Sequence, residues 1–184
     1  MATHSLTQVH SILRDGDFSY ANKYEVEFGF PPSVAVNRLQ ELTIRCDSIT
    51  MPGRNLRTVM NGNIYGPPHE IVQGYTFGEI SASFYLSEDM NELKLIQKWQ
   101  DSAVDDQTYD INYYKEYTGT VKIFSLNKKE ERVHGIELVE AFPKTIEPIS
   151  VGYASPNTIN KLGVAFQYRY WKNARVAVAS VVAT

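Results

Sequence analysis

The chain has one cysteine, four histidines, no long apolar run and no excess of basic charge, and each scarcity closes off a class of function. With Cys46 alone there is no internal disulfide and no cysteine-based zinc cluster. Cys46 alternates with Leu42 and Ile44, a spacing that puts it on the apolar face of a strand as a small buried hydrophobe rather than a reactive thiol. His4, His10, His69 and His134 have no second ligand at metal spacing, so no metal or cofactor is expected. No segment approaches the roughly 18 apolar residues that a membrane-spanning helix needs. The first ten residues lack a basic stretch followed by an apolar core, so neither a secretory signal nor a membrane anchor is expected, and synthesis in a reducing cytoplasm is. The 18 Lys+Arg against 21 Asp+Glu give a net charge of −3, without the basic stripe that grips phosphates. Gly-x-Ser-x-Gly, Walker-type and GxGxxG patterns are absent. Asp105-Asp106 and Glu130-Glu131 are adjacent pairs in polar segments, where neighbouring side chains do not converge as an acid and a base. The expectation is a protein that is not an enzyme.

What the chain does have is aromatic and β-patterned. Twelve Tyr and eight Phe suit a pleated surface, and 184 residues are enough to bury a core without staples. Tyr24, Val26, Phe28 and Phe30 alternate with polar residues as a first strand that Pro31-Pro32 ends. Glu41 to Ile49 reads as a second strand, able to pair with the first as a hairpin. Ile80, Ala82, Phe84 and Leu86 share one face of another. Strands around Gly119–Leu126 and Arg132–Phe142 flank Asn127–Glu131, a charged hairpin tip. From Leu162 the apolar residues Leu162, Val164, Phe166, Tyr168 and Tyr170 fall on every second position, predicting one long two-faced strand that closes on Trp171.

Helical spacing appears twice. Leu6, Val9 and Leu13 predict a short amphipathic helix over Thr7–Arg14, stopped by Gly16. Met90, Leu93, Ile96 and Trp99 predict a second, with Ser87 as its cap, Glu88 and Asp89 in its first turn and Lys94 and Lys98 late, as the helix dipole favours. Between 50 and 74 lies the least regular stretch, with turn signals at Met51-Pro52-Gly53, Asn61-Gly62-Asn63 and Gly66-Pro67-Pro68. It reads as an extended loop or projecting hairpin, of the sort that works at a partner surface. The fold class expected is mainly β: an antiparallel β-barrel or sandwich of about six to seven strands with one flanking helix. It is read as a single domain over 1–184, with an N-terminal arm at 1–20, the extended loop at 50–74 and a C-terminal extension at 172–184.

Four blocks resemble the tail tube proteins of contractile-tailed bacteriophages. They are Gly16-Asp17-Phe18 followed by Ala21–Val26; Cys46 through Met51-Pro52-Gly53; the strand and helix from Phe77 to Lys98-Trp99-Gln100; and Ala141-Phe142-Pro143-Lys144 before a strand ending Tyr168-Arg169-Tyr170-Trp171. They occur in the same order and span about Asp15 to Trp171. The resemblance implies a barrel with a flanking helix, forming six-membered rings that stack into a hollow tail tube, a virion conduit for genome passage into the host. Strands of neighbouring copies would join into the lumen wall, which would also cover open sheet edges. Six copies at −3 each carry −18, so DNA would pass the lumen without specific binding. Sheath, baseplate initiator and tail terminator proteins are the implied partners.

The turn-rich loop at 54–73 and the long C-terminal tail also suit a baseplate tube initiator, and the inner tube of a type VI secretion or other injection machine is the third reading within this class. A non-assembling barrel that binds a small ligand is the alternative of a different class. The residues expected at inter-subunit contacts are Arg54, Asn55, Leu56, Asn61, Ile64, Tyr65 and His69 in the loop, and Val176, Val178 and Val181 in the tail.

Overall fold

The computed structural model describes residues 18–34, 39–62, 66–152 and 158–175, without the side chains of 39–41. The expected N-terminal helix, Ile64, Tyr65, Val176, Val178 and Val181 lie outside the described residues. In chain order the elements are β1 (Tyr24–Gly29), α1 (Leu39–Ile44), β2 (Cys46–Ile49), β3 (Asn55–Asn61), β4 (His69–Thr76), β5 (Ile80–Tyr85), α2 (Asn91–Asp101), α3 (Tyr114–Tyr117), β6 (Gly119–Leu126), β7 (Arg132–Ile146), β8 (Lys161–Gln167) and β9 (Tyr170–Asn173). A seven-stranded antiparallel sheet runs β1-β6-β7-β8-β5-β2, with β9 added to β7, and β3 and β4 form a separate two-stranded sheet. The mainly-β expectation therefore holds.

β7 makes this sheet fold over on itself. Its first part lies between β6 and β9, and its last part, Phe142–Ile146, pairs with β8. Between the two, Glu140 is an extra residue opposite the Gly119-Thr120 step and sits at φ 56°. A bulge of this kind bends a strand and increases its twist. As a result the β1-β6-β7 half packs on the β8-β5-β2 half, and Phe28 of β1 meets Phe84 of β5 at 5.7 Å and Phe166 of β8 at 5.9 Å. The interior is filled by Val26, Phe28, Phe84, Val121, Ile123, Leu138, Leu162, Val164 and Phe166. The barrel-like wall stays open between β1 and β2, where the Tyr24 hydroxyl donates to the Cys46 carbonyl at 2.8 Å. Trp99 of α2 covers one end of the core, 4.6 Å from the Phe30 ring, with its indole N–H on the Tyr117 carbonyl at 2.8 Å.

Several sequence expectations need correction. Glu41–Ile49 is not one strand: Leu39 and Leu42 stand at helical spacing and belong to α1, which leaves Leu42 buried and Ile44 80% exposed. β2 then pairs with β5, not with β1. Cys46 is only half-buried, although burial still pushes its thiol up to about 12, which keeps it neutral. The long C-terminal strand is two. The inward alternation runs through the buried Tyr168 and breaks after it, and Tyr170 starts β9 on a different stretch of β7. Pro143 does not end β7, because it lies beside a second register shift where a ladder donor is dispensable. Asn61 does not turn the β3–β4 hairpin: it lies in β3 and pairs with His69 of β4. The polar segment after α2 is closed by a Val104–Ile111 bridge, and α3 follows it.

Met90 also leaves the expected helical stripe, adopting φ 51° at the helix start, and the buried face of α2 is Glu92, Ile96 and Trp99. The helix starts at Asn91 with Met90 at its N-cap, so Ser87, Glu88 and Asp89 precede it and the acid of the first turn is Glu92. The Glu92 carboxylate accepts from the Ser87 amide at 2.9 Å and hydroxyl at 2.8 Å, while Ser87 Oγ accepts from the Asn91 amide at 3.2 Å. Arg45 closes on the same carboxylate at 2.9 Å, tying the start of β2 to α2. Burial pushes the Glu92 carboxyl up, but the Ser87 donors and Arg45 together hold it below the usual carboxylate range. A depressed folded-state value contributes stability above the unfolded value of about 4.3, and that contribution is lost as pH falls through the folded value. Glu92→Gln is therefore expected to lower stability at neutral pH by roughly 1–3 kcal/mol. It should also flatten the acid limb of a urea-midpoint-against-pH profile, and an unchanged acid limb would refute this role.

Candidate assembly surface

The β3–β4 hairpin stands away from the main sheet. A two-stranded ribbon is marginal alone in water, and this one exposes large apolar side chains, among them Met60 at 62% and Tyr75 at 59%. Residues directly opposite in an antiparallel pair share a face. One face therefore carries the pairs Leu56–Tyr75, Thr58–Val72 and Met60–Glu70, and the other Asn55–Thr76, Arg57–Gly74, Val59–Ile71 and Asn61–His69. The first is mostly apolar. The second sets Val59 and Ile71 among polar groups. Contiguous exposed apolar area of this kind marks an interaction site.

The ribbon is held at its root. The Arg54 guanidinium lies over the Trp171 ring at 4.3 Å and the Tyr75 ring at 5.1 Å. Trp171 Nε1 donates to the Gly53 carbonyl at 3.1 Å. Tyr75 continues to Phe77 at 6.4 Å, and Phe77 to the buried Tyr168 at 6.1 Å. The arm is thus fastened to the segment joining β8 and β9.

Of the residues expected at contacts, Asn55, Leu56, Asn61 and His69 come together on this hairpin, and Arg54 lies at its root. Met60, Ile71, Val72 and Tyr75 were not singled out. The β-branched and aromatic run Ile71-Val72-Gln73-Gly74-Tyr75 was the available signal, masked by the bulge at Gln73 that breaks its alternation.

The outer face of β1, β6, β7 and β9 is a second exposed surface, and it is charged. Arg132 donates from Nε and a terminal nitrogen to both oxygens of Glu25 at 2.8 Å, and the terminal nitrogen also reaches Glu27 at 2.5 Å. Its guanidinium rests on the Phe124 ring at 4.1 Å. The hydrogen bonds from Arg132 hold the Glu25 carboxyl below its usual range. Among the described residues no three or more His, Cys, Asp or Glu are grouped to hold a metal ion, and no helix is long and apolar enough to cross a membrane.

A family model described as phage tail tube protein matches residues 19–174. The chain belongs to that family. The tube chain matches no curated protein significantly. Among solved structures it is similar to a chain in the sheath–tube complex of the extracellular contractile injection system PVC, with TM-score 0.63, 13% identity, and coverage of 95% of this chain and 100% of that one. A chain in the PVC sheath/tube terminator structure has TM-score 0.63 and 13% identity, covering 85% and 96%. A chain in the tube-terminating cap of the anti-feeding prophage has TM-score 0.64 and 13% identity, covering 85% and 91%. At these identities the likeness is one of fold, and it extends over nearly the whole of each relative. Family and fold together support a tube role and a place in the tail.

Proposed function

We propose that this tube protein self-assembles into stacked six-membered rings, forming the inner conduit through which a genome leaves the virion. The observation that carries the reading is the β3–β4 arm: an ordered apolar ribbon, fastened at its root and uncovered along its length, is suited to a neighbouring copy. The chain acts as one structural subunit, with the 50–74 region and the C-terminal extension as its locking elements and Arg54, Asn55, Leu56, Asn61, Ile64, Tyr65, His69, Val176, Val178 and Val181 as candidate contacts. Sheath, baseplate initiator and terminator proteins are its partners in the tail. A lumen without predominant Lys and Arg lets DNA slide rather than bind. The ligand-binding alternative is disfavoured because the barrel interior is filled by side chains.

Electron micrographs of the purified protein across a concentration series test the proposal. Rings or hollow tubes of uniform width are expected, with end-on views giving the symmetry. Monomers at every concentration and salt, with the arm intact, would count against it.

A further inference from the structure

Two exposed surfaces lie at opposite ends of β6, and they complement each other. Ahead of the strand, residues 101–114 form a knob on which Tyr109, Ile111 and Tyr113 are 78%, 80% and 82% exposed. Asp101, Asp105, Asp106 and Asp110 give the knob four acids, and it contains no Lys or Arg. Its backbone is fixed by the Val104–Ile111 bridge and by Asp105 Oδ1, which accepts from the Gln107 and Thr108 amides at 2.8 and 3.0 Å. Asn112 Nδ2 adds a bond to the Ser102 carbonyl at 3.0 Å. A surface ordered in advance avoids much of the entropy cost of binding. At the other end of the strand, past Leu126, a groove of about 720 Å³ opens beside the β6–β7 hairpin tip, within the roughly 300–1,000 Å³ range of binding clefts. Phe18, Leu126 and Val133 give it an apolar lining, and Lys128 and Lys129 a basic one. The neighbouring acids are engaged: Glu131 accepts from Asn127 Nδ2 at 2.8 Å, and Glu130 pairs with Lys23 at 2.7 Å. The eight residues of β6 set knob and groove roughly 25 Å apart.

We infer that the 101–114 knob of one copy seats in the β6–β7 groove of a second copy stacked on it, and that its aspartates against Lys128 and Lys129 make this axial contact salt-sensitive. The exposed rings and Ile111 supply apolar area for the groove, while the charges choose the orientation. Knob against knob or groove against groove sets like charges together, so stacking has one polarity. A copy whose knob is seated still offers its own groove at the other end of β6, and a head-to-tail contact of that kind repeats along a line. The inference rests on the tube reading and adds to it a contact separate from the β3–β4 arm.

The test uses two full-length double variants, Asp106→Lys with Asp110→Lys on the knob and Lys128→Glu with Lys129→Glu at the groove. Each alone opposes like charges at every stacking contact and is expected to raise the concentration needed for tubes by at least about tenfold, with rings still seen in micrographs. Mixing rings of the two should restore tubes close to the parental threshold, because every contact in an alternating stack again joins opposite charges. Loss of tubes through misfolding gives no such rescue. Salt supplies a second readout. Going from about 0.1 to 1 M shortens the Debye length from about 10 to 3 Å, so parental tubes should need more protein to form. Asp106→Asn with Asp110→Asn should raise the threshold at low salt and remove most of that salt dependence. Parental tubes together with unchanged thresholds in both charge-reversed variants, or no rescue on mixing, would overturn the knob contact while leaving the tube reading standing. Parental protein that never forms rings or tubes would overturn both.

Discussion

Trp99→Ala is expected to lower the stability of the monomeric chain by about 3–5 kcal/mol, a large part of the 5–15 kcal/mol typical of a domain. The indole is 1% exposed, packs on Phe30 at 4.6 Å and Phe166 at 5.9 Å, and donates to the Tyr117 carbonyl at 2.8 Å. Removing it opens a cavity between α2 and the end of the sheet and leaves a carbonyl without its partner. The neighbouring backbone is built around this ring. A Cβ added at Gly119 would come within 2.8 Å of Trp99 Cζ2 and within 2.3 Å of the Gly29 carbonyl, so the strand can pass beneath the indole only as glycine. Trp99→Phe keeps most of the apolar volume and should cost about 1–3 kcal/mol, since the hydrogen bond and part of the packing are lost. Urea denaturation at concentrations below assembly measures both. A Trp99→Ala loss under about 1 kcal/mol would mean that the tryptophan does not close the core.

The same residue shows how much of this molecule was legible in its sequence. Ile96 and Trp99, one turn apart, gave the helix and its buried side. Alternation in 24–29 and 80–85 gave strands whose inward residues belong to the observed core, and 119–126 is a strand in which the adjacent Ile123 and Phe124 are both buried. Reading failed where one period imitated another. Leu42, Ile44 and Cys46 alternate as a strand would, but Leu42 packs from a short helix and the strand begins only at Cys46. Tyr168 and Tyr170 continue the period of β8, yet the chain changes neighbour between them to follow the bend at Glu140, and that bend has no signature within 161–170. The assembly arm was half legible. Turn residues marked 50–74 as projecting, while the apolar face of the ribbon emerged only from the pairing of β3 with β4, because a bulge hides it in the sequence of β4 alone.

Replacing Asn55–Thr76 by a two-residue turn is expected to abolish tube formation while leaving the barrel folded. Asn55 and Thr76 are directly paired, so their Cα atoms lie about 5 Å apart and a short turn closes the gap. The main sheet loses no ladder, because β3 and β4 pair only with each other. Arg54 and Gly53 remain to hold Trp171, and the lost ring contact of Tyr75 with Phe77 should cost no more than about 1 kcal/mol. Far-ultraviolet circular dichroism and the thermal midpoint should therefore resemble the parent's, while sedimentation and micrographs show no tubes at concentrations where the parent assembles. A finer version keeps the ribbon and changes one face. Val72→Asp places a charge among Leu56, Met60 and Tyr75 and should raise the assembly threshold by about tenfold or more, as burying an unpaired carboxylate against a neighbouring copy is unfavourable. Thr76→Asp, which adds one charge on the opposite face, should change it little. Equal effects from both would show that neither face is preferred, and tubes formed without the arm at the parental concentration would remove the hairpin from assembly altogether.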